Sequence, residues 1–238
     1  MADRNTRPAG IPVSNRRSAV KLIPLILFIM ISAYYGTTVL IARVTTEKTV
    51  VRHLEQAKIM KEDLSAEQLK VLLKIQDPGF YEHRGVDFRT PGNGWTTISQ
   101  SLAKQFYFDH FKQGIRKIKQ TLCARFALDP LVSKDDQITL FLNMMYFGNQ
   151  QTGIVDAAHY YYAKETADLS DTEYISLIGS LISPNTLNPE DHPEANRQRV
   201  EKIRRMLSGE YTLKGLFDIT YDRDQGISSF RSVPFSAD

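Results

Sequence analysis

Residues 74–88, KIQDPGFYEHRGVDF, set Asp77, Phe80, Tyr81, Glu82 and His83 within seven positions, with Gly79 and Gly85 among them. Carboxylates and an imidazole this close can move protons, and aromatic neighbours in a buried setting raise a carboxylate's pKa toward the range an acid or base needs. Gln76 opens the group with an amide, which donates and accepts hydrogen bonds but cannot act as a base. Further along, Lys104 and the adjacent pair Arg116 and Lys117 supply fixed positive charge. Such charge can stabilise a departing or bound polyanion. Two plainer readings stand beside these: His83 as a structural hydrogen-bonder, and Arg116 and Lys117 as a solvated helix face.

The elements that must position these residues are helical by pattern. Ser65-x-x-Gln68 is a capping-box signature, opening a helix with apolar Leu69, Leu72 and Leu73. Gln76 is the next position on that face and is expected to point inward, before Pro78-Gly79 ends the helix. Residues 89–94, RTPGNG, read as a mobile loop, and a helix is expected from Thr97 to Phe106. The next, 114–128, shows an apolar face of Ile115, Ile118, Leu122 and Phe126, with Arg116, Gln120 and Ala124 on a separate stripe. Ser133 caps another helix with Ile138, Phe141, Leu142 and Met145 inside. Short helices near 153–163, 170–182 and 193–207 complete a mainly α body without alternating strands or repeats.

Composition narrows the class. Hydrophobic residues make up 42% and charged ones 24%, which is a globular balance. The net charge of +3 is carried by residues 1–21, where five Lys and Arg face only Asp3, so the remainder is close to neutral. That argues against nucleic acid as a partner, because such a partner needs a dense basic face. Cys123 is the only cysteine, which excludes a disulfide framework and a thiolate metal cluster. Residues 22–42, LIPLILFIMISAYYGTTVLIA, are uncharged and long enough to cross a hydrocarbon core of about 30 Å. Arginines before the span place residues 1–21 in the cytoplasm as a basic tail and the main domain on the periplasmic or extracellular side of the plasma membrane. A signal peptide is the rival, but no small-x-small cleavage site closes the stretch. Residues 43–64 read as a stalk, 65–209 as the domain and 210–238 as a tail.

In order along the chain, these segments resemble the peptidoglycan glycosyltransferases of family 51. QDPGFYEHRGVDF is similar to the motif E-D-x-x-F-x-x-H-x-G-x-D, and NGWTTISQSLAKQ to G-G-S-T-I-T-Q-Q-L-A-K-N. RKIKQ resembles R-K-x-x-E, and KDDQITLFLNMMYFG the motif ending in Y-L-N-x-x-x-F-G. GIVDAAHYYYAK, SLISPNTLNP and RVEKIRRM follow the remaining landmarks. The resemblance covers about 67–207. It implies a lysozyme-like, mainly α fold with an N-terminal transmembrane helix. It also implies a membrane partner, lipid II or another undecaprenyl-pyrophosphate-linked glycan as substrate, other cell-wall synthesis proteins as further partners, and a divalent cation as a cofactor the family admits.

Carried over residue by residue, the resemblance divides. Asp77, Phe80, His83, Thr96, Thr97, Gln100, Lys104, Arg116, Lys117 and Asn143 stand where the motifs place substrate-binding groups. The carboxylate positions are altered: Gln76 occupies the base position, Gln120 the second glutamate position and Thr139 a third, while Trp95 replaces a motif glycine and Ser101 a glutamine. Losing general-base assistance costs about 10²–10⁴-fold in rate. The expectation is a protein that binds lipid II or nascent glycan with impaired turnover. An active transglycosylase using Asp77 or Glu82 as a displaced base, and a scaffold that binds nothing, remain as alternatives.

Overall fold

The structure, a computed structural model, describes residues 14–108 and 114–222. Among them the only strand-like pairing is one antiparallel bridge, Tyr146 to Thr152. Helix α1 spans Ser14–Glu55, and the chain divides into two compact units at Thr38 and Val39. The first unit holds most of the apolar run, with large exposed side chains such as Leu22, Phe28 and Met30. A helix that is apolar all round and unburied is long and apolar enough to cross a membrane.

The second unit contains α2 (Ala66–Gln76), α3 (Ile98–Tyr107), α4 (Ile115–Cys123), α5 (Lys134–Met144), α6 (Ile154–Tyr162), α7 (Asp171–Ser180), α8 (Pro184–Leu187) and α9 (Pro193–Ser208). Ser65, Thr97 and Ser170 each close a capping box at the start of α2, α3 and α7, satisfying N–H groups that a first helical turn leaves unpaired. Helices α2, α7 and α9 pack together, and α3 packs against both α4 and α5. Leu72, Ile138, Leu177, Ile178 and Ile203 are fully buried at the centre.

Four expectations change. On α2 the buried positions are Val71, Leu72 and Ile75, with Leu69 and Leu73 half-buried, so the inward face is turned from the predicted one. On α4 the expected faces exchange roles. Ile118 and Phe126 are exposed, and the buried residues are Gln120, Cys123 and Ala124, followed by Ala127 and Leu128 in a π-helical turn, Ala124–Leu128. The physical reason is size: Cys123, Ala124 and Ala127 form a small-residue cluster with Ala42 and Ala103, which brings the helices close. Gly85 joins this approach. Its φ is +82°, and a Cβ there would lie 2.6 Å from the Ala124 carbonyl oxygen.

Residues 43–64, expected as a stalk, are instead built into the body. Thr46, Val50 and Ile59 are buried, Thr46 Oγ1 lies 2.6 Å from the Tyr107 hydroxyl, and Arg43 Nη1 donates to the Phe126 carbonyl at 2.6 Å. The RTPGNG loop, expected to be mobile, is pinned: Asn93 is buried, and Gly92 and Gly94 donate backbone hydrogen bonds to Gly215 and Leu216.

Asp77 ties α2 to α3. It caps the C-terminus of α2 and is fully buried, and its Oδ2 accepts the Ile98 N–H at 2.9 Å, at the first turn of α3. His83 Nε2 donates to the same carboxylate, 2.9 and 3.0 Å from its two oxygens. A buried anion is stable only when its lone pairs are this well occupied. Asp77→Ala should therefore lower unfolding free energy by roughly 3–5 kcal/mol. Asp77→Asn, which keeps an acceptor for Ile98, should lose less. Denaturant titration of the full chain in detergent measures both.

Candidate functional site

The last residue of α2, Gln76, is half-buried, and its Nε2 donates to the Ile178 carbonyl of α7 at 2.7 Å. The direction toward the interior agrees with expectation. The role is different, because this position supplies a donor. An ionised carboxylate here would set two acceptors against each other. Asp77, considered as a displaced base, has its oxygens engaged by Ile98 and His83 inside the core. Glu82 alone of that pair is exposed. Phe80 is 1% exposed and belongs to the core, with Lys134 Nζ 4.4 Å above its ring.

Helix α3 gathers the second set. Thr97 is the N-cap: its Oγ1 accepts the Gln100 N–H and donates to the Gly85 carbonyl at 2.8 Å. Gln100 Oε1 accepts the Thr97 N–H, and its Nε2 donates to Thr121 Oγ1 of α4 at 2.9 Å. Both were expected to bind substrate, and both are buried braces joining the first motif, α3 and α4. Gln120 extends the brace. It is 2% exposed, its Nε2 donates to the Gln100 carbonyl at 2.7 Å, and its Oε1 is buried without a hydrogen-bond partner.

Outside this buried layer lie the cations. Thr96 is exposed, and Lys117 Nζ donates to its Oγ1 at 2.9 Å. Lys104, in the last turn of α3, and Arg116, in the first turn of α4, are exposed. Burial, and then the charge of Lys104, push the Lys117 amine down to about 8. A lysine whose charge is opposed both by burial and by a second cation is suited to an anion that neutralises it.

Asn143 does not join this group. Its Nδ2 donates to the Ile59 and Thr139 carbonyls at 2.7 Å, and its Oδ1 accepts from the Lys58 and Ile59 N–H groups at 2.7 and 3.3 Å. With its hydrogen-bonding capacity used, Asn143 fixes the segment after α1 to α5. Thr139 does the same through Oγ1, which accepts the Lys61 N–H at 3.0 Å.

Sequence reasoning missed an apolar pocket of about 250 Å³ beside Lys117, walled by Phe88, Trp95, Ile118 and Leu122. Trp95 in a motif glycine's place was the available signal. A divalent cation does not fit the groups present. Among the described residues no three His, Cys, Asp or Glu converge, and the charged residue that lines the pocket, Lys117, is a cation that would repel it.

Comparison with known proteins places this arrangement. Residues 43–208 match the family described as Transglycosylase. Penicillin-binding protein 1F of Bacillus subtilis is 34% identical over 152 residues, covering 58% of this chain and 21% of that protein. Penicillin-binding protein 1A of Escherichia coli is 31% identical over 189 residues, covering 73% of this chain and 22% of that protein. A Cupriavidus necator protein, named only as a candidate transglycosylase, is 29% identical over 160 residues, 62% of this chain and 69% of that one. The chain thus spans about a fifth of the length of the penicillin-binding proteins it matches. The motif order, the all-α lysozyme-like fold and the match over 43–208 agree: the chain belongs to the transglycosylase family.

Proposed function

We propose that this protein is a membrane-anchored, peptidoglycan glycosyltransferase-like protein that binds lipid II, or the nascent glycan on its lipid pyrophosphate, with little or no polymerisation. One observation carries the reading. Both altered glutamate positions, Gln76 and Gln120, spend their amide N–H groups on main-chain carbonyls, at 2.7 Å each, while the cations survive. An ionised glutamate could make neither bond. Transfer to a growing glycan needs a group that takes the attacking hydroxyl's proton and charges that stabilise the departing pyrophosphate. Lys104, Arg116 and Lys117 supply the second need, and nothing at Gln76 or Gln120 supplies the first. Other cell-wall synthesis proteins are the partners such a binding role implies.

Labelled lipid II tests this in paired assays. The unmodified protein should bind it and form no polymer, and turnover at an ordinary enzymatic rate would sink the reading and direct attention to Glu82. Absence of both would leave a scaffold. The double change Gln76→Glu and Gln120→Glu should give measurable polymer, at a cost of roughly 1–3 kcal/mol per lost hydrogen bond. Each new carboxyl faces a carbonyl oxygen, so its folded pKa lies above the unfolded value of about 4.3. Its stability contribution is therefore fully present below about pH 4.3 and is lost as pH rises through the higher folded pKa. Thermal melts at acid and neutral pH should show the difference.

Lys117 generates a second expectation. An anion binds its protonated form, and with its pKa lowered to about 8 that form is lost as pH rises through this value. Affinity for inorganic pyrophosphate should fall several-fold between about pH 7 and about pH 9. Lys117→Arg should flatten the profile while sharing the ligand's own ionisation.

Orientation is a third. The arginines that precede the apolar span predict a non-cytoplasmic main domain. A reporter fused after Asp238 should be active only outside the cytoplasm, and cytoplasmic activity would overturn the substrate assignment too.

A further inference from the structure

The segment after α9, residues 210–222, lies beyond the part that matches the family, 43–208, yet it is fastened to the body at many points. Asp218 is fully buried, and its Oδ2 accepts from the Tyr211 hydroxyl at 2.7 Å and the Lys214 N–H at 2.8 Å. Arg199 of α9 donates to the Ile219 carbonyl at 2.7 Å and lies 4.6 Å over the Tyr221 ring. Lys202 pairs with Asp222 at 2.9 Å. A strap held this way can hold something else.

What it holds is the loop that enters α3. Gly92 N–H donates to the Gly215 carbonyl at 2.9 Å and Gly94 N–H to the Leu216 carbonyl at 2.8 Å. Both glycines have positive φ, +80° and +67°, and a Cβ on Gly92 would lie 2.8 Å from Leu213. The backbone contact thus needs these glycines. Immediately after them Trp95 packs on Phe217, ring centroids 4.7 Å apart, although the indole is 62% exposed. Trp95 is followed by Thr96, which holds Lys117.

We infer that the strap is part of the binding site: Phe217 positions Trp95 as a wall of the apolar pocket beside Lys117, and that wall seats the isoprenoid chain next to the pyrophosphate of a polyprenyl diphosphate. The inference rests on the anion-binding reading of Lys104 and Lys117. The chemistry matches from both ends: Phe88, Ile118 and Leu122 offer apolar surface, and the lysine at the rim offers charge. An amphiphile with an anionic head and a hydrocarbon tail satisfies both, whereas a free phosphate satisfies only the rim. Phe217 acts through Trp95, so it is a positioning residue.

Trp95 is the only tryptophan in the chain, so indole emission reads this wall directly. The test uses the full chain in zwitterionic lipid nanodiscs, with geranyl diphosphate and inorganic pyrophosphate as probes. Geranyl diphosphate should bind more tightly than pyrophosphate and shift Trp95 emission. Phe217→Ala should reduce that preference roughly three- to tenfold with pyrophosphate affinity unchanged, and Phe217→Tyr should retain it. Trp95→Leu, which leaves the backbone bonds of Gly92 and Gly94 in place, should give the same selective loss by calorimetry. A preference that survives Phe217→Ala and Trp95→Leu, or no preference in the unmodified protein, overturns the inference. Lys117→Ala separates the two readings. If it weakens both probes, the cation reading holds whatever the strap does. If it weakens neither while Phe217→Ala still removes the preference, the wall stands and the phosphate grip fails.

Discussion

A carboxylate shut away from water is costly unless it is hydrogen-bonded, and the domain is organised around meeting that need at Asp77. Its oxygens are met by a ring nitrogen six residues on and by the first amide of α3, twenty-one residues on. One residue therefore fixes the end of α2, the turn carrying His83 and the start of α3. Helix α3 then sets everything outside it. Its cap ties to Gly85, its first-turn glutamine to α4, and its main chain receives the amide of Gln120. The charge of Lys104 reaches Lys117 because the helices carrying them are locked by this inner layer.

The layer also separates two kinds of residue that lie side by side in the motifs. Thr97, Gln100 and Gln120 face the interior and are consumed by hydrogen bonds, while Thr96 and Arg116 are exposed and Lys117 lies half-buried between. Adjacent positions on a helix point about 100° apart, so a four-residue motif necessarily mixes the two. Motif residues that tolerate no ligand are no less demanding than those that touch one, since an unpaired buried group costs about 1–3 kcal/mol.

This explains what was legible in the sequence. Capping signatures at Ser65 and Ser133, the break at Pro78-Gly79 and the buried set of α5 were readable because each depends on neighbours in the chain. The exposed face of α4 was misread because periodicity identifies an apolar stripe without saying what meets it. Here Cys123, Ala124 and Ala127 won the interior by being small. The cations and the two glutamines were found by residue type and motif position, but the donor role of those amides depends on carbonyls 102 and 20 residues away. The strap left almost no trace, since its hold on Gly92 and Gly94 is main chain to main chain and carries no side-chain signature.

The stitching of residues 58–61 to α5 bears on the order in which the chain can fold. Lys58 and Ile59 find their partner at Asn143, and Lys61 finds its own at Thr139, separations of 85, 84 and 78 residues. A ribosome adding about 5–20 residues per second needs roughly 4–17 s to supply that stretch. Throughout that interval residues 58–61 lack the side chains that anchor them, whereas Thr46 and Arg43 on α1 meet Tyr107 and Phe126 sooner. Docking of residues 58–61 therefore follows the synthesis of α5, although they belong to the first part of the domain to be made.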